Sequence, residues 1–241
     1  MDDKEFEIQN IKTITQMSKD KKFQEKTRAW FKDSWKYEYQ YHFRWLGRPI
    51  LQFPQDIIAT QELIWKVKPD LIIETGIARG GSIIFYASIL ELIGKGNVIG
   101  IDIDIRKHNK KEIEKHKMMK RITMIEGSSI SKKVINHVYK LAKNKKKIMV
   151  FLDSNHSHKH VLEEMIVYSK LVKKGSYMIV FDTMIEDMQK DFFDRPWNVG
   201  NNPKTAVKEF LKINQRFKIE KKIENKLLIT ACPDGFLKCI K

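Results

Sequence analysis

The sequence predicts an α/β fold built around a mostly parallel β-sheet. Its 241 residues are enough for one large hydrophobic core, and 42% of them are hydrophobic. Short apolar runs alternate with helix-length segments through the middle of the chain, a pattern typical of right-handed βαβ units. With only 11 glycines and 6 prolines, the composition excludes a disordered or linker-rich chain.

The first part of the chain predicts an N-terminal helical segment at residues 1–46. It is polar and charged, and its aromatic residues recur with helical spacing in places. The stretch Gly47–Pro54 interrupts any helix because it contains two prolines. Residues 55–66 return to helical spacing. We therefore expect a second region, at 47–241, that carries the sheet.

Five apolar runs that each end in a carboxylate predict the parallel strands: Leu71–Glu74, Val98–Asp102, Ile122–Glu126, Ile148–Asp153 and Tyr177–Asp182. The segments between them predict helices at Gly81–Ile93, Lys107–Met119, Lys132–Lys143 and Lys159–Val172. After a further helix at about 204–213, antiparallel strands are expected at Phe217–Ile223, Leu227–Ala231 and Phe236–Ile240. A hairpin turn at Pro233–Gly235 would join the last two of these strands.

The first predicted strand leads into a loop that contains glycines, Glu74-Thr-Gly-Ile-Ala-Arg-Gly-Gly-Ser82. Glycines there allow a ligand to approach the backbone closely, and Asp102 ends the next strand, where an acid can bind the hydroxyls of a ribose. Glu74 would repel a pyrophosphate and favour a cationic ligand, so the motif predicts S-adenosylmethionine. Gly127-Ser-Ser129 would line its adenine pocket. The alternative is an ordinary turn with Asp102 as a helix cap.

A second group of polar residues follows the fourth and fifth predicted strands. Asp153 and Asp182 would bring two carboxylates together, an oxygen-rich site of the kind that Mg²⁺ prefers. Such an ion makes a nearby alcohol more acidic, and His156 could accept the proton. Methyl transfer is an in-line displacement that depends on positioning and deprotonating the nucleophile. The alternative is that both aspartates cap helices and that His156 is structural.

Other polar residues also lie near these predicted strand ends. Glu186 and Asp187 are candidates for binding the metal or the substrate. His158 and His160 have no partner at zinc-ligand spacing, so we expect them at the exposed start of a helix. The long loop at residues 194–204 is expected to recognise the acceptor.

Several blocks of the sequence, within roughly residues 45–238, resemble the family called cephalosporin hydroxylase: Gly47–Asp56, Leu71–Ser82, Val98–Arg106, Ile125–Ser129, Leu152–His156 and Asn201–Thr205. Despite its name, this family is similar to the Mg-dependent class I S-adenosylmethionine-dependent O-methyltransferases, akin to rhamnosyl and macrolide-sugar methyltransferases. The resemblance implies a Rossmann-like class I methyltransferase fold with a mostly parallel seven-stranded sheet and C-terminal antiparallel strands. Residues 47–241 would then form the methyltransferase domain.

The resemblance also implies roles for individual residues. Cofactor contacts are expected at Glu74, Gly76, Ser82, Asp102, Ser129 and Asp153. Asp153 and Asp182 would bind the metal, and His156 would be the general base. Relatives tend to have an acid or amide after the second metal aspartate, where this chain has Thr183. The third ligand therefore stays open among Thr183, Glu186, Asp187 and water.

The predicted function is methyl transfer from S-adenosylmethionine to a hydroxyl of a sugar or small polar metabolite, in surface-glycan or secondary-metabolite modification. The net charge of +16 raises an alternative, an RNA-binding protein or RNA methyltransferase that uses the basic stretch Arg106–Arg121. Lysines outnumber arginines 38 to 8, which argues against it because nucleic-acid recognition favours the guanidinium group. A hydroxylase is disfavoured because no iron-binding triad is evident.

The sequence also bears on where the chain acts and with what partners. It has no apolar run long enough for a membrane span and no secretory signal, so a cytoplasmic location is expected. Cys232 and Cys239 fit a reducing compartment. The expected partner is a hydroxyl acceptor, and the oligomeric state stays open, with a homo-oligomer among the options.

Overall fold

A seven-stranded β-sheet forms the centre of the molecule in a computed structural model, which describes residues 1–190 and 192–241. Its strands are β1 Leu71–Thr75, β2 Asn97–Asp102, β3 Ile122–Glu126, β4 Ile148–Leu152, β5 Tyr177–Val180, β6 Phe217–Ile219 and β7 Phe236–Cys239. The order across the sheet is β3-β2-β1-β4-β5-β7-β6. β1 to β5 are parallel, and β7 is antiparallel to both β5 and β6. The predicted fold class is confirmed.

Helices cover both faces of the sheet. Within the described residues they are α1 Asp3–Lys19, α2 Lys21–Ser34, α3 Pro54–Val67, α4 Gly81–Ile93, α5 Lys107–Glu114, α6 Lys132–Ala142, α7 His158–Tyr168, α8 Pro203–Ile213 and α9 Lys221–Leu227. Successive side chains of a strand point to opposite faces. Ile72 therefore packs in a core with α3, α4 and α5, whereas Ile73 packs in a second core with α6, α7 and α8.

Strand order reverses between β1 and β4, which opens a crevice at their carboxyl ends. Backbone hydrogen bonds hold the end of β1 close to the ends of both its neighbours. Gly76 N donates to Ile101 O of β2 at 2.7 Å, and Asp153 N, just after β4, donates to Thr75 O at 2.9 Å. Gly76 has φ +86°, and a Cβ there would lie 2.1 Å from the carbonyl oxygen of Asp153. Only glycine permits this approach of the two loops.

The N-terminal helices join the rest of the molecule mainly through aromatic packing. α1 buries no residue, whereas α2 and the turns after it stack on the segment before α3. Phe31 lies 4.9 Å from Phe53 between ring centroids, and Trp35 lies 5.9 Å from the same ring. A short hairpin then pairs Arg44–Trp45 with Arg48–Pro49. None of the helices described here is both long and apolar enough to cross a membrane.

The C-terminal part corrects one prediction. Leu227–Ala231 was expected to be a strand, but the chain forms α9 and then an irregular segment. Ile223 and Leu227, one helical turn apart, pack against the core, which explains the helix. The backbone N–H of Ala231 donates to the buried carboxylate of Asp56 at 2.8 Å, so a side chain replaces a strand partner. The predicted strand Phe217–Ile223 ends at Ile219, because α9 begins at Lys221 and Ile223 packs against the core as part of that helix.

Candidate active site

A cavity of about 610 Å³ lies at the carboxyl ends of the parallel strands. The predicted site residues among those lining it are Gly76, Asp102, Ser129, Asp153, His156 and Asp182. Ligands of open parallel sheets bind at this edge, next to the reversal of strand order. The structure therefore brings together six of the eight residues that the sequence singled out.

Glu74 and Ser82, the other two residues, do not line this cavity. Glu74 is fully buried, and Ser82 Oγ donates to its carboxylate at 2.7 Å. Burial raises the pKa of Glu74 to about 8, although the hydrogen bond from Ser82 opposes the shift. Ser82 lines a small adjoining cleft with Gly76 and Asp153. Glu74 therefore lies outside the cavity and supports the loop after β1 through its hydrogen bond with Ser82.

Asp102 organises the loop after β1. One carboxylate oxygen accepts hydrogen bonds from the backbone N–H groups of Ile77 at 3.0 Å and Ala78 at 3.1 Å. The other oxygen accepts from Asp104 N at 3.2 Å. The side chain is half-buried and lines the cavity. It therefore shapes the glycine loop and still faces the cavity.

Three potential metal ligands meet on the opposite side of the cavity. One ligand atom each from Asp153, His156 and Asp182 lie within 4.8 Å of one another, and His156 Nε2 is 3.3 Å from Asp182 Oδ2. Asp153 directly follows β4, and Asp182 follows β5 in a left-handed conformation with φ +54°. Burial and the charge of Asp182 hold the pKa of Asp153 well above its usual range. A divalent cation would relieve this repulsion, and the two carboxylates are oxygen donors of the kind that Mg²⁺ prefers.

The candidates for a third protein ligand are separated by their contacts. Glu186 accepts hydrogen bonds from Gly200 N at 2.8 Å and Asn202 Nδ2 at 2.6 Å. Asp187 forms an ion pair of 2.6 Å with Lys204. Glu186 therefore binds the loop before α8, Asp187 binds the first turn of α8, and neither acid lines the cavity. Thr183 is buried, and its hydroxyl has no hydrogen-bond partner among the described residues.

Aromatic and amide side chains form the outer wall of the cavity. Trp197 belongs to the predicted acceptor loop and contacts the ring of His156 edge-on, with 4.8 Å between centroids. Trp35, Gln40 and Tyr41 enter from the N-terminal segment. No motif predicts their position, because residues far apart in the sequence meet only after the N-terminal helices pack.

His160 also differs from expectation, because it is half-buried and lines the cavity. Its Nε2 lies 3.1 Å from Ser129 Oγ, and it belongs to a polar network with Glu164 and Ser154. The signal for this network was present in the sequence, since His160 and Glu164 are four residues apart and share a face of α7.

The strand order, together with a cavity at the carboxyl ends of the parallel strands, defines the architecture of class I S-adenosylmethionine-dependent methyltransferases. A family model described as Rhamnosyl O-methyltransferase/CmcI matches residues 37–240. The chain belongs to this family. The predicted family and the prediction of an S-adenosylmethionine-dependent O-methyltransferase are confirmed.

Two curated relatives bear the name Rhamnosyl O-methyltransferase. The protein from Mycobacterium leprae (strain TN) is 32% identical over 142 residues, which are 58% of this chain and 59% of that protein. The protein from Mycobacterium bovis (strain BCG / Pasteur 1173P2) is 30% identical over 193 residues, 76% of this chain and 72% of that one. The chain thus spans between about three fifths and three quarters of the length of these relatives.

Solved structures share the fold. A CmcI apo-structure has a TM-score of 0.60 at 18% identity and covers 83% of this chain and 77% of its own. A CmcI structure described as holding Mg and SAM has a TM-score of 0.59 at 18% identity, covering 83% and 78%. The O-methyltransferase TomG from Streptomyces achromogenes, in complex with SAM, has 0.54 at 15% identity, covering 78% and 80%. At such identities these likenesses establish the fold alone.

Proposed function

We propose that this chain transfers a methyl group from S-adenosylmethionine to a hydroxyl of a sugar or a sugar-containing metabolite, with Mg²⁺ as a second cofactor. The observation that carries the proposal is a single cavity that joins Asp102 and Ser129 on one side to Asp153, His156 and Asp182 on the other. The names of the relatives, and the Mg and SAM of one fold neighbour, agree with it.

Each of these residues would have a role that follows from its position in the cavity. Asp102 would bind the ribose of the cofactor, and Ser129 would line the adenine pocket. Asp153 and Asp182 would hold Mg²⁺, which when bound supplies positive charge that makes a neighbouring hydroxyl more acidic. His156 would take the proton of the acceptor, and the Asp182 carboxylate, 3.3 Å from its Nε2, would stabilise the resulting imidazolium. Trp197 lies against His156 and would keep water from the reacting atoms.

The outer wall of the cavity favours an acceptor that is rich in hydroxyls. Trp35 Nε1 and Gln40 Oε1 are buried and lack hydrogen-bond partners among the described residues. Buried groups of this kind need partners, and a sugar hydroxyl can both donate and accept. Tyr41 and Trp197 add aromatic surface against which the apolar face of a sugar ring can pack.

Part of this wall comes from the N-terminal residues, which bears on how the chain is divided into regions. The two cysteines bear on where the protein acts. We propose an N-terminal helical segment at 1–46 that supplies part of the acceptor wall, and a methyltransferase domain at 47–241. A cytoplasmic location is supported by the free thiols of Cys232 and Cys239, both of which are buried. The family match covers residues 37–240, so it includes residues 37–46 of the segment together with nearly all of the proposed domain.

The proposal is tested by methyl transfer from labelled S-adenosylmethionine to a panel of nucleotide sugars, glycans and RNA, with Mg²⁺ or with a chelator. We expect labelled sugar, no product in the chelator, and recovery when Mg²⁺ is restored. Asp182→Asn should lose the response to Mg²⁺, whereas Asp33→Asn, at an exposed position on α2, should keep it. Methyl transfer that is unaffected by the chelator would refute the role of Mg²⁺. Methyl transfer to RNA alone would establish the alternative function.

A further inference from the structure

One face of α7 carries three polar side chains at intervals of one turn, all directed at Ser129: His160, Glu164 and Tyr168. Glu164 is fully buried, and its Oε1 accepts hydrogen bonds from the hydroxyls of Ser129 at 2.5 Å and Ser154 at 2.7 Å. The hydroxyl of Tyr168 donates to the backbone carbonyl of Ser129 at 2.6 Å. One helix face therefore holds both the side chain and the backbone of Ser129.

The hydrogen bonds of this network have a defined direction. The Ser129 hydroxyl has one proton and donates it to Glu164, so its contact of 3.1 Å with His160 requires His160 to donate from Nε2. The same nitrogen lies 3.4 Å from Glu164 Oε1. Ser154 donates to that oxygen from the other side. Oε1 of Glu164 therefore accepts hydrogen bonds from serines of two different loops.

The two serines belong to different parts of the site. Ser129 lies in the loop after β3 that would line the adenine pocket, and Ser154 follows the metal candidate Asp153 after β4. Both serines line the cavity, but Glu164 does not. Burying a carboxylate is costly, and its Oε2 has no hydrogen-bond partner among the described residues. An apolar side chain would fill this space without that cost, so the acid serves the geometry of the two loops.

We propose that Glu164 is a positioning residue that fixes the distance between the adenine loop, Gly127–Ser129, and the metal loop, Asp153–His156. Cofactor affinity and the rate of the chemical step then depend together on one buried acid that touches neither ligand. The inference rests on the proposed function, because it assigns the two loops to the cofactor and the metal.

The first test compares Glu164→Gln with Glu163→Gln, a matched control at the exposed neighbouring position of the same helix. Affinity for S-adenosylhomocysteine is measured by calorimetry and kcat by methyl transfer, after circular dichroism has shown that each variant folds. We expect Glu164→Gln to raise the Kd at least about fivefold and to lower kcat at least about tenfold, with Glu163→Gln within about twofold of wild type in both. A folded Glu164→Gln that matches the control would overturn the proposal.

The second test is a double-mutant cycle on the serines, which leaves the buried acid in place. Ser154→Ala alone should raise the Kd for S-adenosylhomocysteine at least about threefold, although Ser154 lies outside the adenine loop. In the Ser129→Ala background the same change should have almost no effect, because the connection is already broken. Equal effects in both backgrounds would show that each serine acts alone, which contradicts the inference.

The possible results distinguish a failure of the proposed function from a failure of the positioning role of Glu164 alone. A wild-type chain that binds no S-adenosylhomocysteine would refute the proposed function together with this inference. A wild-type chain that binds it and transfers methyl groups, but shows independent serine effects, would refute the positioning role and leave the proposed function intact.

Discussion

Individual carboxylates in this protein differ in chemistry because their surroundings differ. The sequence places five acids at the ends of predicted strands, and the structure sorts them by burial and partners. Glu74 is fully buried, Asp102 binds backbone N–H groups, and Glu126 is exposed. Asp153 and Asp182 lie together beside His156. The row of acids is therefore four kinds of group, which sequence position alone does not distinguish.

Asp102 should be required for cofactor binding. Asp102→Ala removes both the group that faces the ribose site and the acceptor that holds the N–H groups of Ile77 and Ala78. We expect the Kd for S-adenosylhomocysteine, measured by calorimetry, to rise at least about tenfold. Asp104→Ala is the matched control, because this neighbouring aspartate is exposed and its loss should change the Kd less than about twofold. Unchanged affinity in Asp102→Ala would contradict the assignment of the cofactor site.

Glu74 should make the unliganded protein less stable at alkaline pH. Its pKa is about 8 in the folded state, so between about pH 4.5 and about pH 8 the unfolded chain loses a proton that the folded chain keeps. The free energy of unfolding therefore falls as pH rises through this window, by about 1.4 kcal/mol for each unit of pKa difference. Glu74→Gln should flatten the decline in urea unfolding experiments. Glu126→Gln, at an exposed strand end, should leave it as it is, and identical curves for both variants would rule out this role of Glu74.

At the scale of elements, the loops after β1 and β4 are built as one unit. Their backbones touch at Gly76, and α7 and its side chains support the loop after β4 and the loop after β3. The predicted strands and helices give the positions of these loops, but the contacts between loops depend on the register of neighbouring strands. This is why the glycine was predicted as a cofactor residue and its packing role was not.

Gly76→Ala should damage both stability and the site, and Gly47→Ala provides a matched control. Both glycines have φ +86°, but a Cβ at Gly47 would meet nothing within 4 Å, whereas one at Gly76 would overlap Asp153. Backbone strain alone should cost Gly47→Ala about 1 kcal/mol in urea unfolding. We expect Gly76→Ala to lose at least about 2 kcal/mol more, and to bind S-adenosylhomocysteine more weakly. Equal losses in the two variants would mean that the loops move apart without cost.

At the scale of the whole molecule, the alternation of apolar runs and helical segments was sufficient to predict the fold. Burial of each strand on both faces requires long apolar runs, and these are visible in the sequence. The segment at 227–231 shows where such reasoning fails, because Asp56, far away in the sequence, takes the hydrogen bond that a strand would have used. The same limit applies to Trp35, Gln40 and Glu164, which become part of the site only through tertiary packing.

Cofactor binding should stabilise the entire fold, because the cavity is formed by the ends of five strands. A ligand present at about a hundredfold excess over its Kd adds about 2.7 kcal/mol to the free energy of unfolding. For a chain of this size we expect S-adenosylhomocysteine to raise Tm by about 5–10 °C in calorimetry. Asp102→Ala should show a smaller rise at the same concentration, and a Tm that does not respond to the ligand would contradict cofactor binding at this edge of the sheet.

The position of β7 determines how the sheet can be completed during synthesis. β7 lies between β5 and β6, although β6 comes before it in the chain. A ribosome that has made everything up to residue 235 therefore leaves the hydrogen-bonding edge of β5 open and β6 without a neighbour. An open edge of this kind can pair with another chain, and the insertion of β7 between β5 and β6 removes that possibility.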